Sequence, residues 1–128
     1  MLFRSDADST ATSLTTGTGN IFFDQVNGFV LNILSAITGD GSITATNDDG
    51  TMNVTTATAG GSGDISLTTT TSGDINVDAV TALGNTATIN SQGAIEELNT
   101  DAAADIVFGR VRKARSFCAE KSVALPMP

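Results

Sequence analysis

Two stretches decide how this chain folds: Gly63-Asp64-Ile65-Ser66-Leu67 and, ten residues on, Gly73-Asp74-Ile75-Asn76-Val77. Each reads as a glycine, a small or polar residue, then apolar, polar, apolar. The glycine and the residue after it suit a tight bend. The alternation beyond the bend has period two, which puts Ile65 and Leu67 on one side of a strand and Ser66 on the other. A helix would need apolar residues three and four apart, and these units lack them.

Working outward from that pair, the unit recurs. Gly41-Ser42-Ile43-Thr44-Ala45 and Gly50-Thr51-Met52-Asn53-Val54 precede it, and weaker copies begin at Gly19 and Gly93. At Gly84 the apolar pair comes one residue late, on Ala87 and Ile89, as an extra residue or bulge would produce. Alternate glycines keep a nearly constant distance: 22 residues from Gly19 to Gly41, 22 from Gly41 to Gly63, and 21 from Gly63 to Gly84. The interleaved set gives 22 from Gly28 to Gly50, 23 from Gly50 to Gly73, and 20 from Gly73 to Gly93.

A coil of 20–23 residues with at least two strands is the size of one β-solenoid rung. The spacing therefore predicts an all-β fold, a parallel β-helix over residues 15–106 with about five rungs. At ~4.8 Å per rung its length is roughly 24 Å. Inward side chains should stack in ladders, Ile43 over Ile65 and Met52 over Ile75 over Ile95, with Ala45, Val54, Leu67 and Val77 extending the core. The alternative is a β-sandwich, which also has short strands with frequent turns but has no need of the same unit at each strand. Ile95–Ala104 is the one stretch whose apolar spacing fits a helix.

Charge divides the chain. Thirteen of the 14 acids lie between Ser5 and Gly109, where no base occurs, and five of the six bases lie from Arg110 onward. Residues 107–128, which also hold Cys118 and both prolines, thus read as a basic tail. It either folds onto the acidic body or is foreign to the natural chain, as a frame change would make it. Residues 1–14 share no pattern with the repeats after them and read as a poorly ordered lead-in. The composition, 40% hydrophobic and 16% charged, is not that of a disordered segment.

The run from Gly63 to Val77, continued by Asn85-Thr86-Ala87-Thr88-Ile89 and Gly93-Ala94-Ile95, resembles the repeats of filamentous-haemagglutinin-like adhesins and related autotransporter-type β-helix exoproteins of bacteria. The resemblance covers about residues 39–106, more weakly 15–38, and not the tail. It implies a right-handed parallel β-helix serving as a non-enzymatic stalk or adhesive segment at the cell surface. It implies no catalytic residues. Secretion belongs to a parent protein on this reading, because Asp6 and Asp8 leave no room for a signal sequence here.

Motifs for chemistry are weak. Gly60-Gly61-Ser62-Gly63-Asp64-Ile65 approaches a calcium β-roll unit, but its acid comes one residue early and the unit is not repeated. Asn47-Asp48-Asp49-Gly50 fails as an EF-hand loop, since Ala45 and Thr56 would occupy its first and twelfth positions. These acids read as solvated turn residues. Asp48, Asp49, Glu96 and Glu97 could serve a polysaccharide hydrolase or lyase, the runner-up function, but the body offers no Lys, Arg or His to assist them. Thr-x-Thr pairs at Thr44/Thr46, Thr56/Thr58, Thr68/Thr70 and Thr86/Thr88 start at different offsets from the preceding glycine, which argues against one flat hydroxyl face.

The expectation is therefore no enzyme, no catalytic, cofactor-binding or metal residue, and no cofactor. Nucleic acid is excluded as a partner because the body lacks clustered bases. Membrane insertion is excluded because the most apolar run, Phe29–Ile37, is too short to span a bilayer. An unidentified receptor or glycan remains as partner, with self-association through open solenoid ends.

Overall fold

The computed structural model describes residues 2–5, 8–26, 28–98, 106–114 and 123–124. Every strand pairing among them is parallel, which removes the β-sandwich. The chain winds as a β-solenoid with three ladders, so each coil has three strands.

The first face stacks β1 (Leu2–Ser5), β4 (Ile21–Gln25), β7 (Ile43–Asp48), β9 (Ile65–Thr70) and the last third of β10 (Ile75–Asn90). The second stacks β2 (Ser9–Ala11), β5 (Leu31–Ile33), the start of β8 (Met52–Ala59), the start of β10 and β11 (Ile95–Glu97). The third carries β3 (Leu14–Thr16), β6 (Ala36–Thr38), and the later part of β8 against the middle of β10. Along the second face the column Ser9, Leu31, Met52, Ile75, Ile95 holds five tiers enclosing four turns.

The expected ladders are present. Ile43 pairs with Ile65, Ala45 with Leu67, Met52 with Ile75, Val54 with Val77, and Ile75 with Ile95. All of these side chains are fully buried. Each large aliphatic side chain taken out of water contributes about 1.5–3 kcal/mol, so the column is the main source of stability. The late pair Ala87 and Ile89 still meets Ile65 and Leu67 in register, with the extra residue absorbed before them. Ile95–Glu97 is a strand paired with β10 and not the start of a helix, because its apolar Ile95 completes the inward column. The remainder of that helix-compatible stretch, residues 99–104, lies outside the described residues, as does Cys118.

Pairing also reaches beyond residues 15–106 on both sides. β1 and β2 precede them, and β12 (Ile106–Ala114) pairs with β10, with register shifts between Ala82 and Thr86 and again between Ala87 and Ile89. β13 (Val123–Ala124) pairs with β12 in turn.

The third strand of each coil goes beyond the sequence reading, because no glycine marks the bend before it. The bend is a slip in the in-out alternation, two outward residues in succession. Ile33 and Ala36 are buried around Leu34-Ser35, and Val54 and Ala57 around Thr55-Thr56. Val77 and Val80 are likewise buried around Asp78-Ala79. In β8 and β10 the strand runs through the bend unbroken.

The glycine corners work differently. At Gly63 a Cβ would overlap the carbonyl oxygen of Gly41 in the coil before, and at Gly50 it would overlap that of Phe29. Close stacking of backbones, rather than a left-handed conformation, demands glycine at both. Gly73 meets both demands, with φ at 115° and the carbonyl of Gly50 where its Cβ would lie.

Candidate functional site

Polar side chains are arranged in columns, and their geometry assigns most of them to holding coil upon coil. The residue between glycine and strand is an acceptor for the next coil. Asn20 Oδ1 accepts from the Ser42 amide at 2.9 Å, Ser42 Oγ from the Asp64 amide at 3.0 Å, and Asp64 Oδ1 from the Thr86 amide at 3.0 Å. The other corner repeats the arrangement, Asp8 Oδ1 accepting from the Val30 amide and Asp74 Oδ1 from the Ala94 amide, both at 2.8 Å. Asp40 Oδ1 takes both the amide and the hydroxyl of Ser62, each at 2.8 Å. All of these acceptors serve the coil after their own.

The acids are thus coil-to-coil acceptors and more than solvated turn residues. Asp48 Oδ1 accepts from the hydroxyls of Thr70 and Thr71 at 2.9 Å, and Asp49 Oδ1 accepts from the Ser72 hydroxyl. The two donors from Ser62, the amide first, hold the Asp40 carboxyl below the usual carboxylate range.

Inside the corner between first and second faces runs a second column: Gln25, Asn47, Thr69 and Ser91, all fully buried. Buried polar groups of this kind must find partners, and here they satisfy the bend. Asn47 Nδ2 donates to the carbonyls of Phe29 at 3.0 Å and Thr51 at 2.8 Å. Thr69 Oγ1 donates to the Gly73 carbonyl at 2.9 Å and accepts from the Gln92 amide at 2.9 Å. Ser91 Oγ lies 2.9 Å from the Ala94 carbonyl.

Outside the second face is an asparagine ladder. Asn76 Nδ2 donates to Asn53 Oδ1, and Asn53 Nδ2 to Asn32 Oδ1, each at 2.8 Å. Glu96 succeeds Asn76 in register, and a carboxylate has no proton to donate, so Asn76 Oδ1 has no hydrogen-bond partner.

The hydroxyl array corrects the expectation drawn from the glycine offsets. Registers place Thr44, Ser66 and Thr88 in one outward row of the first face, and Thr46, Thr68 and Asn90 in the next. Thr56 and Thr58 belong to the third face, where they pair with Ala79 and Thr81. Offsets fail as a guide because coils differ by a residue or two at their corners, while strand register is kept.

Glu96 and Glu97 are neighbours on β11 and so project to opposite sides. Among the described residues no three side chains of His, Cys, Asp or Glu gather in a way that could hold a metal ion, and no helix is long and apolar enough to cross a membrane. Large apolar side chains exposed there are Phe22, Leu34 and Ile37, all in the coil that begins at β4.

Comparison with protein-family models, with curated proteins and with solved structures finds no match. Fold and polar columns together define the class: a three-faced parallel β-solenoid whose corner side chains are committed to stacking.

Proposed function

We propose that this chain is a non-enzymatic stalk or adhesive segment of a secreted bacterial surface protein. The observation that carries the reading is the one-directional acceptor column. Nearly every acid able to serve chemistry is engaged with the next coil, so the polar corners serve length. Each coil is held by its neighbours, and a stack can lengthen without a larger core. The outward rows of Thr, Ser and Asn supply a neutral hydroxyl-rich surface for contact with a glycan or receptor.

The reading is tested in two arms. Duplicating residues 43–64 inserts one more coil and should give a folded chain longer by ~4.8 Å in solution scattering. A glycan panel should give binding without products in reducing-end and unsaturated-product assays. Turnover of any glycan defeats the non-enzymatic reading, and failure of the extra coil to fold defeats the stalk.

A further inference from the structure

The sequence contains two Asp-Gly links, Asp40–Gly41 and Asp49–Gly50, and both fall at coil corners. An Asp-Gly link can rearrange without an enzyme. The glycine amide nitrogen, unhindered by a side chain on its own residue, attacks the carboxyl carbon of the aspartate. The N–Cγ bond forms, a carboxyl oxygen leaves as water, and a five-membered succinimide results. Water then opens the ring at the main-chain carbonyl, leaving isoaspartate, with the backbone rerouted through Cβ and Cγ.

We propose that Asp49–Gly50 is a self-modifying isoaspartate site of the folded chain, and that the coil-to-coil clamp on Asp40 protects the other link. Both aspartates are exposed, so exposure does not separate them. Their partners do. Asp40 Oδ1 is held by two donors, the amide and the hydroxyl of Ser62, each at 2.8 Å, which pull the carboxylate toward the next coil and away from its own glycine. Asp49 Oδ1 accepts from one side-chain hydroxyl, that of Ser72, and Asp49 sits in the left-handed region at φ 59°. The two donors also keep Asp40 ionised, and the carboxylate is the poorer electrophile.

Rearrangement at Asp49 has a structural consequence. Isoaspartate adds an atom to the main chain beside Gly50, whose stacking leaves no room against the Phe29 carbonyl on one side and Gly73 on the other. The Asp49 amide also donates to the Thr70 carbonyl at 2.7 Å. The lesion would therefore loosen the stack at that corner.

The full chain, aged at 37 °C and neutral pH, tests this by digestion with a protease that cuts before aspartate but not before isoaspartate. Electron-transfer fragmentation then places the modification. No Lys or Arg lies between Ser5 and Gly109, so trypsin would leave both links in one peptide. Isoaspartate should accumulate severalfold faster at Asp49 than at Asp40 in the folded chain, and the gap should close in denaturing urea. Ser62→Ala should raise the Asp40 rate and leave that of Asp49 unchanged. Equal rates in the folded chain, or a faster Asp40, overturn the proposal. So does a gap that persists in urea, which would assign it to local sequence, or an Asp40 rate indifferent to Ser62→Ala.

Discussion

Between Thr70 and Ile75 the chain turns a corner where Gly73 lies against the backbone of the coil before it, and the buried Thr69 hydroxyl holds the bend. Between Val54 and Ala57 it turns as well, yet β8 continues through the bend with only Thr55 and Thr56 both outward. The first bend brings main chains of successive coils so close that a methyl group will not fit. The second keeps normal strand spacing and merely shifts the phase of the alternation. Glycine is thus a marker of backbone contact, and a bend without such contact leaves a much fainter trace.

The sharpest way to break that comparison is to add one methyl group at each kind of bend. Gly63→Ala should cost about 3 kcal/mol or more, or prevent folding, because the added Cβ meets the Gly41 carbonyl. Ser35→Thr, at the glycine-free bend, should stay within about 0.5 kcal/mol in the same urea titration. Equal losses would remove the distinction.

Next in size is the polar column behind the corner. Thr69→Val keeps the shape but leaves the Gly73 carbonyl and the Gln92 amide without their hydroxyl partner, and should lower stability by about 1–3 kcal/mol. A loss no larger than that of an outward Thr68→Val control would show that the column is incidental.

A smaller, favourable effect is expected at the end of the asparagine ladder. Glu96→Asn supplies Asn76 Oδ1 with a donor and should raise the unfolding midpoint, by about 0.5–1.5 kcal/mol in stability. An unchanged or lower midpoint would argue against a cooperative ladder on that face.

The smallest effect concerns pH. The folded-state pKa of Asp40 is depressed, so its stabilising contribution is complete above the unfolded value of about 3.9 and is lost as pH falls through the folded value. Stability should therefore rise with pH across that acidic window, and Asp40→Asn should flatten the rise. An identical acid slope in the variant would exclude Asp40 as a contributor.

Much of the fold is legible in the residues alone. The Gly-x-Ile-x-Val units at 20–23 residue spacing locate two of three faces, and the Ile43/Ile65 and Met52/Ile75/Ile95 columns arise because a parallel stack repeats its inward residues. The third face is hidden for a physical reason: its strands are three residues long in β3 and β6 and lack a glycine start. The signal that would find it is two successive outward residues between buried ones, as at Leu34-Ser35 and Asp78-Ala79. The acids are legible as turn residues. Their bonding to the next coil is not, since hydrogen bonds across 20–22 residues become visible only once register is known.

The buried corner column has one further consequence. If every storey of a spiral staircase were the same, the whole flight could be reassembled one storey out of place with hardly any change in energy. Gln25, Asn47, Thr69 and Ser91 are four different sizes and hydrogen-bonding types in equivalent places. They number the storeys, so a misthreaded chain would set the wrong key in each lock.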